Sequence, residues 1–217
     1  MYIILVFLMY FFGCEDVDRG SKNNAKILAI GDSIFEWHIW NQHSVPEQLG
    51  RELGMSVYNN AISGSLITEE TPTSIRNQYI EGDWEWVVMD GGGNDLNILC
   101  QCDKCSETQD KVEAVYKEFL QQLLERENLK IIIWGYYGLP EKAKYGFDEC
   151  QDDFEELSRR QNKIADTNER IFFVDGSKEI TGDDKSYFYI DKIHPSRKGT
   201  EVIGRQLSEV ISNQTSN

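Results

Sequence analysis

The sequence is poor in positive charge, in histidine and in long apolar runs, and each shortage narrows what the chain can do. Twenty-two lysines and arginines stand against 37 aspartates and glutamates, giving a net charge of −15. A surface so acidic repels polyanions, which excludes nucleic acid and electrostatic attachment to anionic membranes and disfavours large anionic substrates. Only three histidines are present, so any imidazole chemistry must come from His38, His43 or His194. No repeat period or low-complexity tract follows residue 25, which removes solenoid and fibrous architectures. The most apolar stretch, residues 1–13, falls short of the ~20 apolar residues that a bilayer-spanning helix needs. What is present is ordinary for a soluble globular protein: 217 residues, 40% hydrophobic and 27% charged. That is enough chain for one domain to bury its core without staples.

Residues 1–13 carry no charge and are nearly all Ile, Leu, Val, Phe, Tyr and Met, which fits the apolar core of a secretory signal. They end in Gly13-Cys14 and turn polar at once with Glu15-Asp16. A small residue followed by cysteine at that boundary resembles the bacterial lipoprotein signal, in which the cysteine is diacylated and becomes the mature N-terminus. The resemblance implies an exported protein, periplasmic or cell-surface, anchored through Cys14, its one expected membrane contact. Residues 14–25 then read as a polar tether, and residues 26–217 as a single domain.

Beyond the tether, short apolar runs alternate with longer amphipathic ones. Lys26-Ile27-Leu28-Ala29-Ile30, Trp86-Val87-Val88-Met89, Lys130-Ile131-Ile132-Ile133-Trp134 and Ile171-Phe172-Phe173-Val174 read as buried strands, with Met55-Ser56-Val57-Tyr58 as a weaker fifth. Continuous apolar runs suit a parallel sheet covered on both faces. Between them, Ser44-Val45-Pro46-Glu47 offers a helix N-cap with proline in the first turn, and Gly54 offers a stop. Val112, Val115, Tyr116, Phe119, Leu120, Leu123 and Leu124 recur at spacings of three and four, so one face of a helix over 106–128 packs inward. Phe154, Leu157 and Ile164 mark a further helix after Gln151, and Val202, Ile203, Leu207, Val210 and Ile211 mark the last. Strand–helix alternation predicts an α/β fold with a mostly parallel sheet, whose ligands sit beyond the carboxyl ends of the strands.

Four blocks stand at those ends or before the last helix. Gly31-Asp32-Ser33-Ile34 follows the first strand, and Asn59-Asn60-Ala61-Ile62-Ser63-Gly64 follows the second. Asp90-Gly91-Gly92-Gly93-Asn94-Asp95 follows the third, and Asp191-Lys192-Ile193-His194 precedes the final helix. Each alone is an ordinary turn. Their order (Ser, Gly, Asn, Asp-x-x-His) resembles the SGNH hydrolases, the GDSL-type esterase and lipase superfamily, over about residues 26–211. The resemblance implies a flavodoxin-like three-layer α/β/α sandwich with a five-stranded parallel sheet. It also implies a serine hydrolase with Ser33 as nucleophile and Asp191 and His194 completing the triad. The oxyanion donors it implies are the Ser33 and Gly64 backbone N–H groups and the Asn94 side chain. Ile34 stands where the motif has Leu, and Ser65-Leu66 where members often have Asp-Thr.

The residue chemistry agrees. A serine hydroxyl needs a base within hydrogen-bond reach to act as a nucleophile near neutral pH. A histidine base needs an acid to fix its tautomer and stabilise the imidazolium, and Asp191 and His194, three apart in a tight segment, project to one side. His38 and His43 lack such an acid nearby. Asp32 adjoins the nucleophile and reads as a turn-former, and Asp95 as a residue bonding nearby loop amides. Trp84 and Trp86 read as core packing, whereas Trp37 and Trp40 fit a substrate pocket and packing equally well.

Cys100, Cys102, Cys105 and Cys150 make an even set besides Cys14. In an exported chain disulfides are expected, paired Cys102–Cys105 and Cys100–Cys150 and pinning two loops beside the site. Tetrahedral zinc and free thiols are the alternatives. The expected activity is hydrolysis of a carboxylic ester through an acyl-enzyme, the ester being an acetylated carbohydrate, a lipid or a small acyl ester. No cofactor is required. A non-catalytic binding protein on the same fold is the competing reading, and a redox or metal protein centred on the cysteines is a third.

Overall fold

The computed structural model describes residues 18–215; the apolar segment 1–13 and Cys14 lie outside them. Five strands form one sheet: β1 (Ile27–Ile30), β2 (Val57–Asn59), β3 (Trp86–Met89), β4 (Lys130–Gly135) and β5 (Ile171–Asp175). Their order is β2-β1-β3-β4-β5 and every neighbouring pair is parallel. All residues of β1 and β3 are buried, as expected of a sheet covered on both faces. Among the described residues six α-helices accompany the sheet: α1 (Ser33–Glu36), α2 (Val45–Leu53), α3 (Gly93–Leu99), α4 (Ser106–Leu124), α5 (Gln151–Ala165) and α6 (Arg197–Thr215). α2 packs on α6, while α4 contacts α3 and α5.

Local chemistry sets these elements. Ser44 and Glu47 form a reciprocal capping box at the start of α2, and Gly54 ends it with φ +63°, satisfying helix-end groups that would otherwise be orphaned. At Gly204 in α6 an added Cβ would meet Gln48 Cβ at 2.6 Å and the Leu49 nitrogen at 2.9 Å, so a bare backbone lets α2 and α6 approach. Val112, Tyr116, Phe119, Leu120 and Leu123 bury one face of α4. Trp84 and Trp86 are buried, and Trp84 Nε1 donates to the Ile80 carbonyl at 2.7 Å.

Of the segment expected as a tether, residues 18–25 are described, and they are docked on the domain. The Asn59 amide donates to the Arg19 carbonyl at 2.9 Å. The Arg19 guanidinium donates to the Asn59 and Ala61 carbonyls and pairs with Glu36 at 3.0 Å.

The cysteine pairing differs from expectation. The bonds are Cys100–Cys105 and Cys102–Cys150, with Cα separations of 5.4 and 4.9 Å. α3 ends in a tight coil in which Gln101, Cys102 and Lys104 all take left-handed φ near +50°. The Cys100 and Cys102 amides both return to the Leu96 carbonyl. That winding brings Cys105, at the start of α4, back to Cys100 and leaves Cys102 facing Cys150, at the start of α5. All four sulfurs are thereby used. Among the described residues no group of three or more His, Cys, Asp or Glu is arranged to hold a metal.

Candidate active site

The site is assembled at the carboxyl ends of β1, β2 and β3, with the 191–194 turn closing it. β1 runs into Gly31, where an added Cβ would fall 1.6 Å from Asp90 Oδ1, so only glycine fits this close approach. The Gln78 amide brackets Gly31 by accepting from its N–H at 2.7 Å and donating to its carbonyl at 2.9 Å. Asp32 then caps α1, its Oδ1 accepting from the Ile34 N–H at 2.9 Å. Ser33 is thus the first residue of a helical turn, half-buried, on a backbone fixed from three sides.

Beneath it lies a buried acidic network that the sequence did not suggest. The Asp32 N–H donates to Asp90 Oδ1 at 2.8 Å, the Tyr136 hydroxyl donates to Asp32 Oδ2 at 2.7 Å, and the Gly93 N–H donates to the Tyr136 oxygen at 3.0 Å. Burial, with Asp32 and Asp90 beside it, pushes the Tyr136 hydroxyl well above its usual range, so it keeps its proton and donates. Burial and the neighbouring Asp32 likewise push Asp90 well up. Asp90 Oδ2 is buried without a hydrogen-bond partner among the described residues. Asp32 is therefore the turn-former expected, and also the tie between the serine turn and the loop after β3.

Asn94 stands in the first turn of α3, and its Nδ2 donates to the Ser65 carbonyl at 3.1 Å, which sets it beside Gly64. Gly64 is exposed with φ +77°. Its loop is held by Asp95, whose carboxylate accepts from the Ile67 and Thr68 amides and from the Thr68 hydroxyl; this is the structural role expected of it.

Asp191 and His194 meet directly. Asp191 Oδ2 lies 2.8 Å from His194 Nδ1, and Oδ1 accepts from the Ile193 and His194 amides at 3.0 Å. Burial pushes the Asp191 carboxyl up, but the bonds from the His194 ring and the two amides outweigh it and hold it below the usual carboxylate value. The Trp37 indole stacks on the His194 ring with 3.7 Å between ring centres. The Trp37 amide donates to the Ser33 carbonyl at 2.8 Å, so one helical turn links Ser33 to the ring that holds His194. Ser33 Oγ itself makes no hydrogen bond among the described residues. His38 is buried with Nε2 3.1 Å from the Pro195 carbonyl, and His43 contacts the Gln48 amide; both are packing residues.

A cavity opens beside Ser33, and Gly93, Asn94, Leu139, Phe147 and Ile193 are among the residues that line it. Its volume is only about 20 Å³, near the minimum for one water. Trp37 and Trp40 do not line it. Taken together, a helix-borne hydroxyl, an imidazole oriented by a carboxylate, and a neutral amide donor are the parts required for acyl transfer.

A model of the GDSL-like lipase/acylhydrolase family matches residues 29–202. No curated protein sequence matches the chain. Among solved structures, a mutant of an acetyl-xylooligosaccharide esterase from Geobacillus Stearmophilus shares 21% identity at TM-score 0.61, over 87% of this chain and 95% of that one. A carbohydrate acetylesterase from Sinorhizobium meliloti shares 16% at TM-score 0.65, over 88% and 100%. A family two carbohydrate esterase from Clostridium thermocellum, in complex with cellohexaose, shares 19% at TM-score 0.64, over 90% and 66%. At such identities the likeness is one of fold.

Proposed function

We propose that this chain, which belongs to the GDSL-like lipase/acylhydrolase family, is a serine esterase in which Ser33, His194 and Asp191 form the triad. The observation that carries the reading is the Asp191–His194 pair held by Trp37 one helical turn from Ser33. Ser33 Oγ attacks the ester carbonyl while His194 Nε2 takes its proton, and Asp191 holds the imidazole through Nδ1. The Ser33–His194 bond belongs to the substrate-bound state, since such bonds often tighten only there. Negative charge developing on the carbonyl oxygen is met by the Asn94 amide and the Ser33 and Gly64 N–H groups. Removing one such donor from a serine hydrolase typically costs about 3–4 kcal/mol. His194 then gives its proton to the departing alcohol, and water repeats the sequence on the acyl-enzyme.

Acetylated carbohydrates are substrates the named structural neighbours point to, and lipid or small acyl esters fit the same chemistry. Hydrolysis of p-nitrophenyl acetate by the wild type, with a loss on the order of 10³-fold or more in Ser33→Ala, tests the reading; full turnover by that variant overturns it. The two disulfides support export to an oxidising compartment, and we extend the proposal to a lipid anchor at Cys14. A Cys14→Ser chain that stays in the membrane fraction of its host would overturn the anchor.

A further inference from the structure

Among the described residues seven large apolar side chains are exposed, and two of them, Trp40 and Tyr189, pack on Trp37, while Ile190 follows Tyr189, whose amide donates to the His194 carbonyl at 2.8 Å. Trp40 is 61% exposed, Tyr189 43% and Ile190 79%. Trp40 and Tyr189 each meet Trp37 edge to face with 5.5 Å between ring centres, and Trp37 is the ring stacked on the imidazole. None of the three lines the cavity next to Ser33. Trp40 also tilts against the buried His38 ring at 5.5 Å, and these two contacts still leave most of its indole in water.

The reaction assigns a place to each part of an ester. The carbon bonded to Ser33 Oγ in the tetrahedral intermediate carries the oxyanion, the acyl substituent and the leaving oxygen. The oxyanion goes to Asn94 and Gly64. The acyl substituent goes into the cavity bounded by Ser33, Asn94 and Phe147. The leaving oxygen must face His194 to receive a proton, so the alcohol lies over the surface where Trp40, Tyr189 and Ile190 stand. A space of about 20 Å³ suits a short acyl group such as acetyl, whereas Trp40, Tyr189 and Ile190 face solvent. Flat aromatic faces in water suit an alcohol that is apolar on one face and polar at its edge. Sugar rings meet that description, with C–H groups against the arene and hydroxyls left in solvent. The −15 charge repels anionic alcohols and leaves neutral ones.

We infer that Trp40 and Tyr189 form a sugar-stacking subsite for the alcohol side, and that the substrate is an O-acetyl ester of a neutral glycan. The inference rests on the serine esterase reading and goes further by naming both halves of the ester.

The test compares an acetylated xylo-oligosaccharide with ethyl acetate, whose alcohol has no ring, in the wild type and in Trp40→Ala, Tyr189→Ala and the double variant. On the oligosaccharide kcat/KM is expected to fall about ten-fold per ring, mainly through KM. The ratio of kcat/KM on the glycan to that on ethyl acetate should fall by the same factor, and circular dichroism checks that the variants are folded. Equal losses on the two esters, or no loss on the glycan, overturn the subsite. So does turnover of a dispersed acetylated lipid that depends on the two rings while the glycan's does not. Absence of turnover on every ester, in the wild type, overturns the parent reading instead.

Discussion

The indole of Trp37 lies 3.7 Å from the imidazole of His194 between ring centres, with 6° between the planes. Such a stack fixes the ring plane, leaving Nδ1 on Asp191, and it faces the cationic imidazolium with the negative face of an arene. Cation–π stabilisation runs from about 0.5 to 2 kcal/mol. Trp37→Leu is therefore expected to lower kcat roughly 3- to 30-fold, with a smaller effect on KM. Trp37→Phe should recover part of the loss. Unchanged kcat in the leucine variant, measured by steady-state ester hydrolysis, would show that the stack is only packing.

Asp191→Asn keeps the shape of the turn but presents an amide to His194 Nδ1, which favours the wrong tautomer. A fall in kcat on the order of 10⁴-fold is expected, with the chain still folded. Because Asp191 is held below the usual carboxylate value, its contribution to stability is present above the unfolded pKa and is lost as pH falls through the folded one. The stability gap between wild type and variant should accordingly narrow in acid below about pH 4. Denaturant midpoints from pH 2 to pH 7 check this; a gap that widens in acid contradicts it.

Asp90 has the opposite sign. It is fully buried beneath the serine turn, and burial together with Asp32 raises its pKa well above the usual value. Its contribution is complete below the unfolded pKa and is lost as pH rises toward the folded one. Asp90→Asn keeps the acceptor for the Asp32 N–H and removes the ionisation. The variant should therefore gain on the wild type above about pH 4, by at most ~1.4 kcal/mol per pH unit. A difference that does not vary with pH in urea titrations would sink this reading.

Much of this arrangement was legible beforehand, and the exceptions share a cause. Four strands could be read because continuous apolar runs leave little choice, β2 only as a weaker candidate because its run is broken by Ser56, and α2 because Ser44, Glu47 and Gly54 are local end signals. Ser33, Gly64 and Asn94 stood out because their blocks fall at strand ends, and Asp191 and His194 because they stand three apart just before the last helix. Tyr136 and Asp90 did not, since their roles arise from contacts made across the sheet: Tyr136 meets Asp32 over 104 positions. The disulfide pairing was misread for the same kind of reason. Three left-handed residues in the 100–105 coil turn Cys102 toward Cys150, and nothing in the spacing announces that turn. Trp37 was ambiguous until its stacking partner, 157 positions away, was in place.

The two disulfides should differ in weight. Cys102–Cys150 closes a separation of 48 residues and Cys100–Cys105 one of 5. On chain-entropy grounds, removing the long link costs about 4 kcal/mol and the short one about 2. Paired serine variants at each bridge, compared by equilibrium denaturation, should rank in that order; the reverse ranking would show that native-state strain outweighs loop closure.

The most direct measurement is the position of a covalent adduct. The folded chain is treated with a fluorophosphonate, digested and mapped by mass spectrometry. The expected result is one adduct, on Ser33, absent from His194→Ala and formed in step with the loss of ester turnover. An adduct on another residue, or ester hydrolysis that continues once Ser33 is fully modified, would contradict the assignment of Ser33 as the nucleophile.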